Sequence, residues 1–347
     1  MEMNALPLMM AGLLDPLYVA FGWIMRMLYF VFDNYGVMII VFTIFIRSIM
    51  IPLYTKQQKT TLKQGQLSDE IADLKRSYGS DSQGFAVAQQ ELLKNHKISM
   101  FSGCLPQIVA LFMIWPIWRI ISSPLRYIMG VSAENIQIMA DRLNEMGKLT
   151  QAEFTGIANR DIPLISALTN NGDALSEFVG DGLIRADQLI NLDFLGLNLG
   201  VQPTWQPAQL FGDQMSTYLP LLLIPILAVI TTILVSKISE NTNPSIAQNK
   251  KQAELAKKNP ARDNAQPDQA AGMMKSMKFM MPVMTLMTVF FAPAAMGMYW
   301  IVGNLMAIVQ SLLLYNLYTK PVFEKVAEQE KQADMVLNSR KETDKNA

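Results

Sequence analysis

Apolar residues in this 347-residue chain gather into long runs separated by polar stretches, and those runs set the expected fold. Residues 36–54 (GVMIIVFTIFIRSIMIPLY) are apolar apart from a single charge, Arg47, and a few hydroxyls. At about 1.5 Å of rise per residue, a helix of this length crosses the roughly 30 Å hydrocarbon layer of a bilayer. Further runs occupy 101–121 (apolar from Cys104 onward), 217–236 and 278–318. The last is too long for one helix. Ala292-Pro293-Ala294-Ala295-Met296-Gly297 lies within it and reads as a tight turn, which divides it into spans at 278–293 and 297–318. The pattern predicts an all-α membrane protein with five transmembrane helices. Pro106, Pro116, Pro220, Pro225 and Pro282 fall inside these spans, where neighbouring helices can satisfy the carbonyls that proline frees.

The intervening segments have their own periodicities. Within residues 1–35, Phe21–Phe32 (FGWIMRMLYFVF) surrounds Arg26 with aromatic and apolar residues and predicts a helix lying in the membrane interface. The segment has no basic leader region or small-residue cleavage site, so it is expected to be retained. In the loop 55–100, Leu67, Ile71, Leu74 and Tyr78 share a helical face, Gly79-Ser80-Asp81-Ser82 turns the chain, and Phe85, Ala88 and Leu92 resume the pattern. That is a helical hairpin, either a solvated connector or a binding element. The loop 122–216 is expected to be largely helical over Met129–Thr169, with Asn191–Leu199 lying on the membrane surface. The loop 237–277 and the tail 319–347 are polar.

Charge orients the chain. Lys56–Lys97 carries seven Lys/Arg against five Asp/Glu, Lys237–Lys278 eight against four, and Arg119–Asp213 six against eleven. Basic loops stay in the cytoplasm, so the N-terminus is expected outside and the C-terminus inside. The whole chain is 51% hydrophobic, has no net charge and carries no dedicated nucleic-acid motif. With one cysteine (Cys104) and one histidine (His96), it has neither an internal disulfide nor the ligands for a Cys/His metal site. No constellation with catalytic spacing stands out. The reading is a non-enzyme without cofactors.

Polar residues inside the spans are the candidate chemistry. A charge at the centre of a membrane helix costs about 2.5 kcal/mol or more, and no Asp or Glu sits in another span to offset Arg47. Thr43 lies one turn before it on the same face. Trp300, Asn304 and Ser311 share a stripe in the last span, with Gln310 beside it, and Gln107 lies one turn inside the second. Two readings stand. These faces converge on a hydrated cavity open to the cytoplasm, or Arg47 snorkels toward the headgroups and Asn304 and Gln310 join helices to one another. A transporter would favour inverted repeats and intramembrane carboxylates, neither of which is visible. An assembly scaffold is not separable by sequence.

Four stretches carry a resemblance: IFIRSIMIPLYTKQQKTTLK (Ile44–Lys63), GCLPQ (Gly103–Gln107), FLGLNLG (Phe194–Gly200) and MYWIVGNLMAIVQ (Met298–Gln310). In sequence and order they resemble the YidC/Oxa/Alb membrane protein insertases, in the five-span bacterial form, over roughly Leu17–Lys320. The resemblance implies an insertase and chaperone with a hydrophilic groove open to the cytoplasm and lipid. Arg47 would draw in outer segments of nascent membrane proteins, and their apolar helices would pass into lipid. Thr43, Gln107, Trp300, Asn304 and Ser311 would line the groove. It also implies the ribosome, the Sec translocon and membrane lipids as partners in a bacterial plasma membrane, with no cofactor. One departure is Ala110, which stands where many relatives carry a groove glutamine.

Overall fold

A computed structural model describes residues 5–98, 105–150, 153–154, 161–243, 269–329, 332 and 335. Cys104, much of the basic loop and most of the tail lie outside them. In chain order, the described helices are α1 (Ala5–Phe32), α2 (Tyr35–Ile49), α3 (Ile51–Gln66), α4 (Ser68–Tyr78), α5 (Ser82–Asn95), α6 (Leu105–Ser122), α7 (Pro124–Tyr127), α8 (Ala133–Glu145), α9 (Ile162–Asn170) and α10 (Gly172–Gly180). A two-residue-strand hairpin, β1 (Asp193–Phe194) and β2 (Leu197–Asn198), follows. Then come α11 (Pro207–Leu210), α12 (Met215–Leu221), α13 (Leu223–Thr242), α14 (Gln269–Phe290) and α15 (Ala294–Leu314), which ends in a π-helical turn, Tyr315–Thr319. The chain is mostly helical, as the apolar pattern predicts.

Among the described residues, three helical stretches are long and apolar enough to cross a bilayer: Leu14–Phe32, Met215–Thr242 and Ala294–Gln329. The interrupted pair Tyr35–Ile49 and Ile51–Gln66 makes a fourth if it crosses as one, while Ile108–Ser122 and Met280–Phe290 are shorter apolar helices. Two details differ from the sequence reading. Phe21–Phe32 is not a short helix of its own but the second half of α1, which runs unbroken through Pro16. The turn between the last two apolar segments occupies only 291–293, because Ala294, Ala295 and Met296 are good helix formers and begin α15 directly after Pro293.

The chain forms two compact units. The first comprises Met1–Ser48, Ile108–Ile233 and Lys278–Leu305. Its core takes Tyr35, Met38, Ile39, Phe42 and Ile46 from one face of α2, at the spacing of a helical stripe. Ile117, Ile120 and Ile121 of α6 join them, together with Leu164, Leu168 and Phe178 from the long loop, so that loop shares the core of the membrane helices. The opposite faces stay apolar and exposed: Ile44 and Phe45 on α2, Ile226, Leu227 and Ile230 on α13, Met280, Val283, Met284 and Met287 on α14. Helices apolar on both sides, with one side unburied by protein, are built for lipid.

Asn191–Leu199 is a tight hairpin. It folds back on itself with Asp193 opposite Asn198 and Phe194 opposite Leu197, burying Leu192 and Leu199. Leu199 and Val201 then accept hydrogen bonds from the free N–H groups of Ala295 and Ala294 at the start of α15, both at 2.9 Å. Gln202 Nε2 donates to the Phe290 carbonyl at the end of α14, at 2.6 Å.

The second unit comprises Ile49–Gln107, Leu234–Met277 and Met306–Ala347. Helices α4 and α5 pack as a hairpin whose small core is Leu67, Leu93 and Ile98, with Ile71 against them. Gly79 at φ +54 ends α4, and the Asp81 carboxylate caps α5 by accepting from Gly84 N at 2.9 Å. At the base of α3, Gln58 Nε2 donates to Thr319 Oγ1 at 2.8 Å and reaches the Thr242 carbonyl at 3.4 Å. The Lys59 ammonium stands 4.6 Å from the centre of the Tyr318 ring.

Candidate functional site

Helix α2 carries Arg47 in its last turn, and the side chain is half-buried. Its guanidinium lies along α15 at Gly303. A Cβ at that glycine would stand 3.1 Å from Nη2, 3.7 Å from Nε and 3.8 Å from Cζ. A side chain there would crowd the planar group, and glycine leaves that space open. Among the described residues Arg47 makes no ion pair and no hydrogen bond.

The next residue on α15, Asn304, turns to α13. Its Nδ2 donates to Thr231 Oγ1 at 3.1 Å and to Thr232 Oγ1 at 3.0 Å. Both threonine hydroxyls spend their own protons on α13 carbonyls, at Leu227 or Ala228 for Thr231 and Ala228 for Thr232. The amide therefore ties α15 to α13. Thr43 shares the face of Arg47 but is closed off: it is 1% exposed, and its hydroxyl donates to Ile39 O at 2.6 Å. Trp300 is half-buried one turn before Asn304. Gln107 is helical in α6, and Ser311 is half-buried further along α15; both belong to the second unit.

Gly303, Thr231 and Thr232 were not singled out by the sequence. The usable signal for the threonines was a pair of adjacent hydroxyls in an otherwise apolar run. For Gly303 it was a glycine beside an asparagine in a membrane helix, where small residues mark close approach.

A second polar cluster sits where α2 begins and α6 ends. The Tyr35 hydroxyl donates to Ile121 O at 2.8 Å, and both residues are fully buried. Asp161, 1% exposed, accepts from Arg126 N through Oδ2 at 2.9 Å, and its Oδ1 has no partner among the described residues. Burial pushes its carboxyl up to about 7, against the opposing pull of the Arg126 and Leu125 backbone N–H groups and the positive charge of Arg119. The buried Ser122 hydroxyl is likewise unpartnered among the described residues.

Residues 27–321 match the 60Kd inner membrane protein family. A protein of Caldanaerobacter subterraneus subsp. tengcongensis named membrane protein insertase YidC is 34% identical over 100 residues, 29% of this chain and 48% of that one. Its namesake from Fusobacterium nucleatum subsp. nucleatum is 33% identical over 90 residues, 26% of this chain and 44% of that one. One from a Shewanella species is 35% identical over 98 residues, 28% of this chain and 18% of that one. The chain spans about half the length of the first two relatives it matches, and less of the third. The family match covers the Arg47 helix, both polar clusters and the whole of α15, and the chain belongs to the 60Kd inner membrane protein family.

Proposed function

We propose that this chain is a membrane protein insertase that moves short outer segments of nascent membrane proteins through a hydrated groove centred on Arg47, and releases their apolar helices into lipid. The observation that carries the reading is a half-buried guanidinium in an apolar helix, lying on a glycine backbone, with no carboxylate bound to it among the described residues. A charge kept in such a place at a cost of about 2.5 kcal/mol or more calls for a ligand that comes and goes. Acidic outer tails have the complementary sign, and Coulomb attraction is stronger in a partly dehydrated groove than in bulk water. Burial of the substrate's apolar helix in lipid supplies the free energy, with the membrane potential drawing acidic tails outward, so no cofactor or nucleotide is needed.

The same reading takes five spans in a bacterial plasma membrane, with the N-terminus outside and the α4–α5 hairpin in the cytoplasm, where a ribosome and the Sec translocon would meet it. The basic bias of the loops supports that orientation. In this proposal Arg47, Trp300 and Asn304 line the groove, with Thr43 buried one turn before Arg47 on the same helix; Gln107 and Ser311, the other groove residues expected from the sequence, belong to the second unit.

Insertion assays on three variants at matched expression test it. Arg47→Lys should retain substantial activity, whereas Arg47→Ala and Arg47→Glu should lose it, most for substrates with acidic outer tails. Near-normal activity in Arg47→Ala would mean that the arginine snorkels and that the charge has no working role. Failure of Arg47→Lys as severe as that of Arg47→Ala would point to a bidentate structural contact instead.

A further inference from the structure

The tip of the β1–β2 hairpin has a cost that its local fold does not explain. Leu195 and Gly196 form the two-residue loop, at φ +53 and +80, the pattern of a type I′ turn. Such a turn favours Asn-Gly or Gly-Gly, because a leucine in the left-handed region is strained. This leucine is also 86% exposed, so it is unfavourable both for the turn and for water. Residues held in sparsely populated backbone regions persist where something else over-determines them.

Leu195 is not alone. Strand β2 packs against α12, and α12 against α11. Phe211, which follows α11, is 71% exposed, and Met215 and Leu219 on α12 are also exposed. Trp205 packs edge-on against Phe290 and Phe291, with ring centres at 5.1 and 6.0 Å, and both Trp205 and Phe291 remain exposed. This patch runs directly into the unburied apolar faces of α13 (Leu223, Ile226) and α14 (Met287, Val283). Elsewhere the same loop exposes charges, with Asp141 and Glu145 on α8 and Asp173 and Glu177 on α10.

We infer that Leu195, Trp205, Phe211, Met215 and Phe291 form a collar that inserts into the headgroup–acyl boundary of the bilayer, anchoring the loop to the lipid beside α13 and α14. Continuity with the lipid-facing helix surfaces identifies lipid as the occupant. An aromatic rim at that level, of which Trp205 is the amphipathic member, matches the chemistry of the interface. Insertion would offset both costs at Leu195, since an apolar tip in a tight turn penetrates with little backbone displaced. The inference rests only on the chain being a membrane protein and is independent of what Arg47 does.

Nitroxide depth measurements decide it. With Cys104 replaced by serine, single cysteines at Leu195, Phe211 and Asn170 are spin-labelled in full-length protein reconstituted into phosphatidylethanolamine–phosphatidylglycerol liposomes. Relaxation by oxygen, which partitions into lipid, is compared with relaxation by a water-soluble nickel chelate. The oxygen-to-nickel ratio should be several-fold higher at 195 and 211 than at 170. Equal ratios at all three positions would place the patch in water and overturn the inference. Dipolar broadening at 211 that disappears on dilution with unlabelled protein would overturn it too, because the patch would then be covered by a second copy. Since Leu195→Cys also alters the turn residue, Phe211→Cys tests the surface with the hairpin unchanged.

Discussion

Replacing Asp161 with asparagine should stabilise the protein at neutral and alkaline pH and leave it nearly unchanged in acid. The carboxyl is buried, one oxygen accepts from Arg126 N, and burial raises its folded-state value to about 7 from the ordinary 3.8. A raised value means that the folded protein holds the proton more tightly than the unfolded chain does. The contribution to stability is therefore fully present below about pH 4, falls as the pH rises, and is lost above about pH 7. A rise of roughly three units at 1.36 kcal/mol each bounds the loss at about 4 kcal/mol. Asparagine keeps a carbonyl oxygen for the Arg126 N–H and never ionises, so Asp161→Asn should gain up to that amount at pH 8 and almost nothing at pH 3. Denaturant unfolding of purified protein in detergent, at five or six pH values, reports the difference between the two proteins; other carboxylates titrate in both and cancel. A gain of equal size at every pH, or a loss at pH 8, would refute the reasoning. The latter would mean that the ionised carboxylate is held by Arg119 strongly enough to outweigh its burial.

Gly303→Val should cost little stability, because the atom in its way is the far end of a flexible arginine, yet it should depress insertion about as far as Arg47→Ala by driving the guanidinium off α15. Asn304→Leu removes two interhelical bonds at about 0.6 kcal/mol each, so unfolding should register a loss of roughly 1 kcal/mol while acidic-tail substrates are still preferred. A Cβ at Gly36 would stand 2.3 Å from the Phe194 ring, so Gly36→Ala should destabilise by about 1–3 kcal/mol as an overpacked contact; adding Phe194→Ala should recover part of that loss in a double-mutant cycle.

The apolar runs were legible because membrane helices announce themselves by length, and Arg47 was legible because a charge within such a run stands out against everything around it. What failed to show were features whose cause lies far along the chain. Asp161 is one of eleven acids in its loop, and nothing nearby marks it as buried; the lid over it comes from α6 and α7. Pro293 signals a turn, but its length is not local: Ala294 and Ala295 open a helix directly after it, and Val201 and Leu199, from another segment, accept their N–H groups. The hairpin that presents them was missed for a related reason: its turn uses Leu195 at positive φ, where turn chemistry would lead one to look for asparagine or glycine. Gly303 is the sharpest case. Its contribution is the absence of a side chain, visible only once a guanidinium is found 3.1 Å from where a Cβ would stand. The sequence thus marks which residue bears the charge, whereas the surface that charge rests on is set by how α2 and α15 meet. Substitutions at Gly303 consequently separate the geometry of the site from its charge in a way that substitutions at Arg47 cannot.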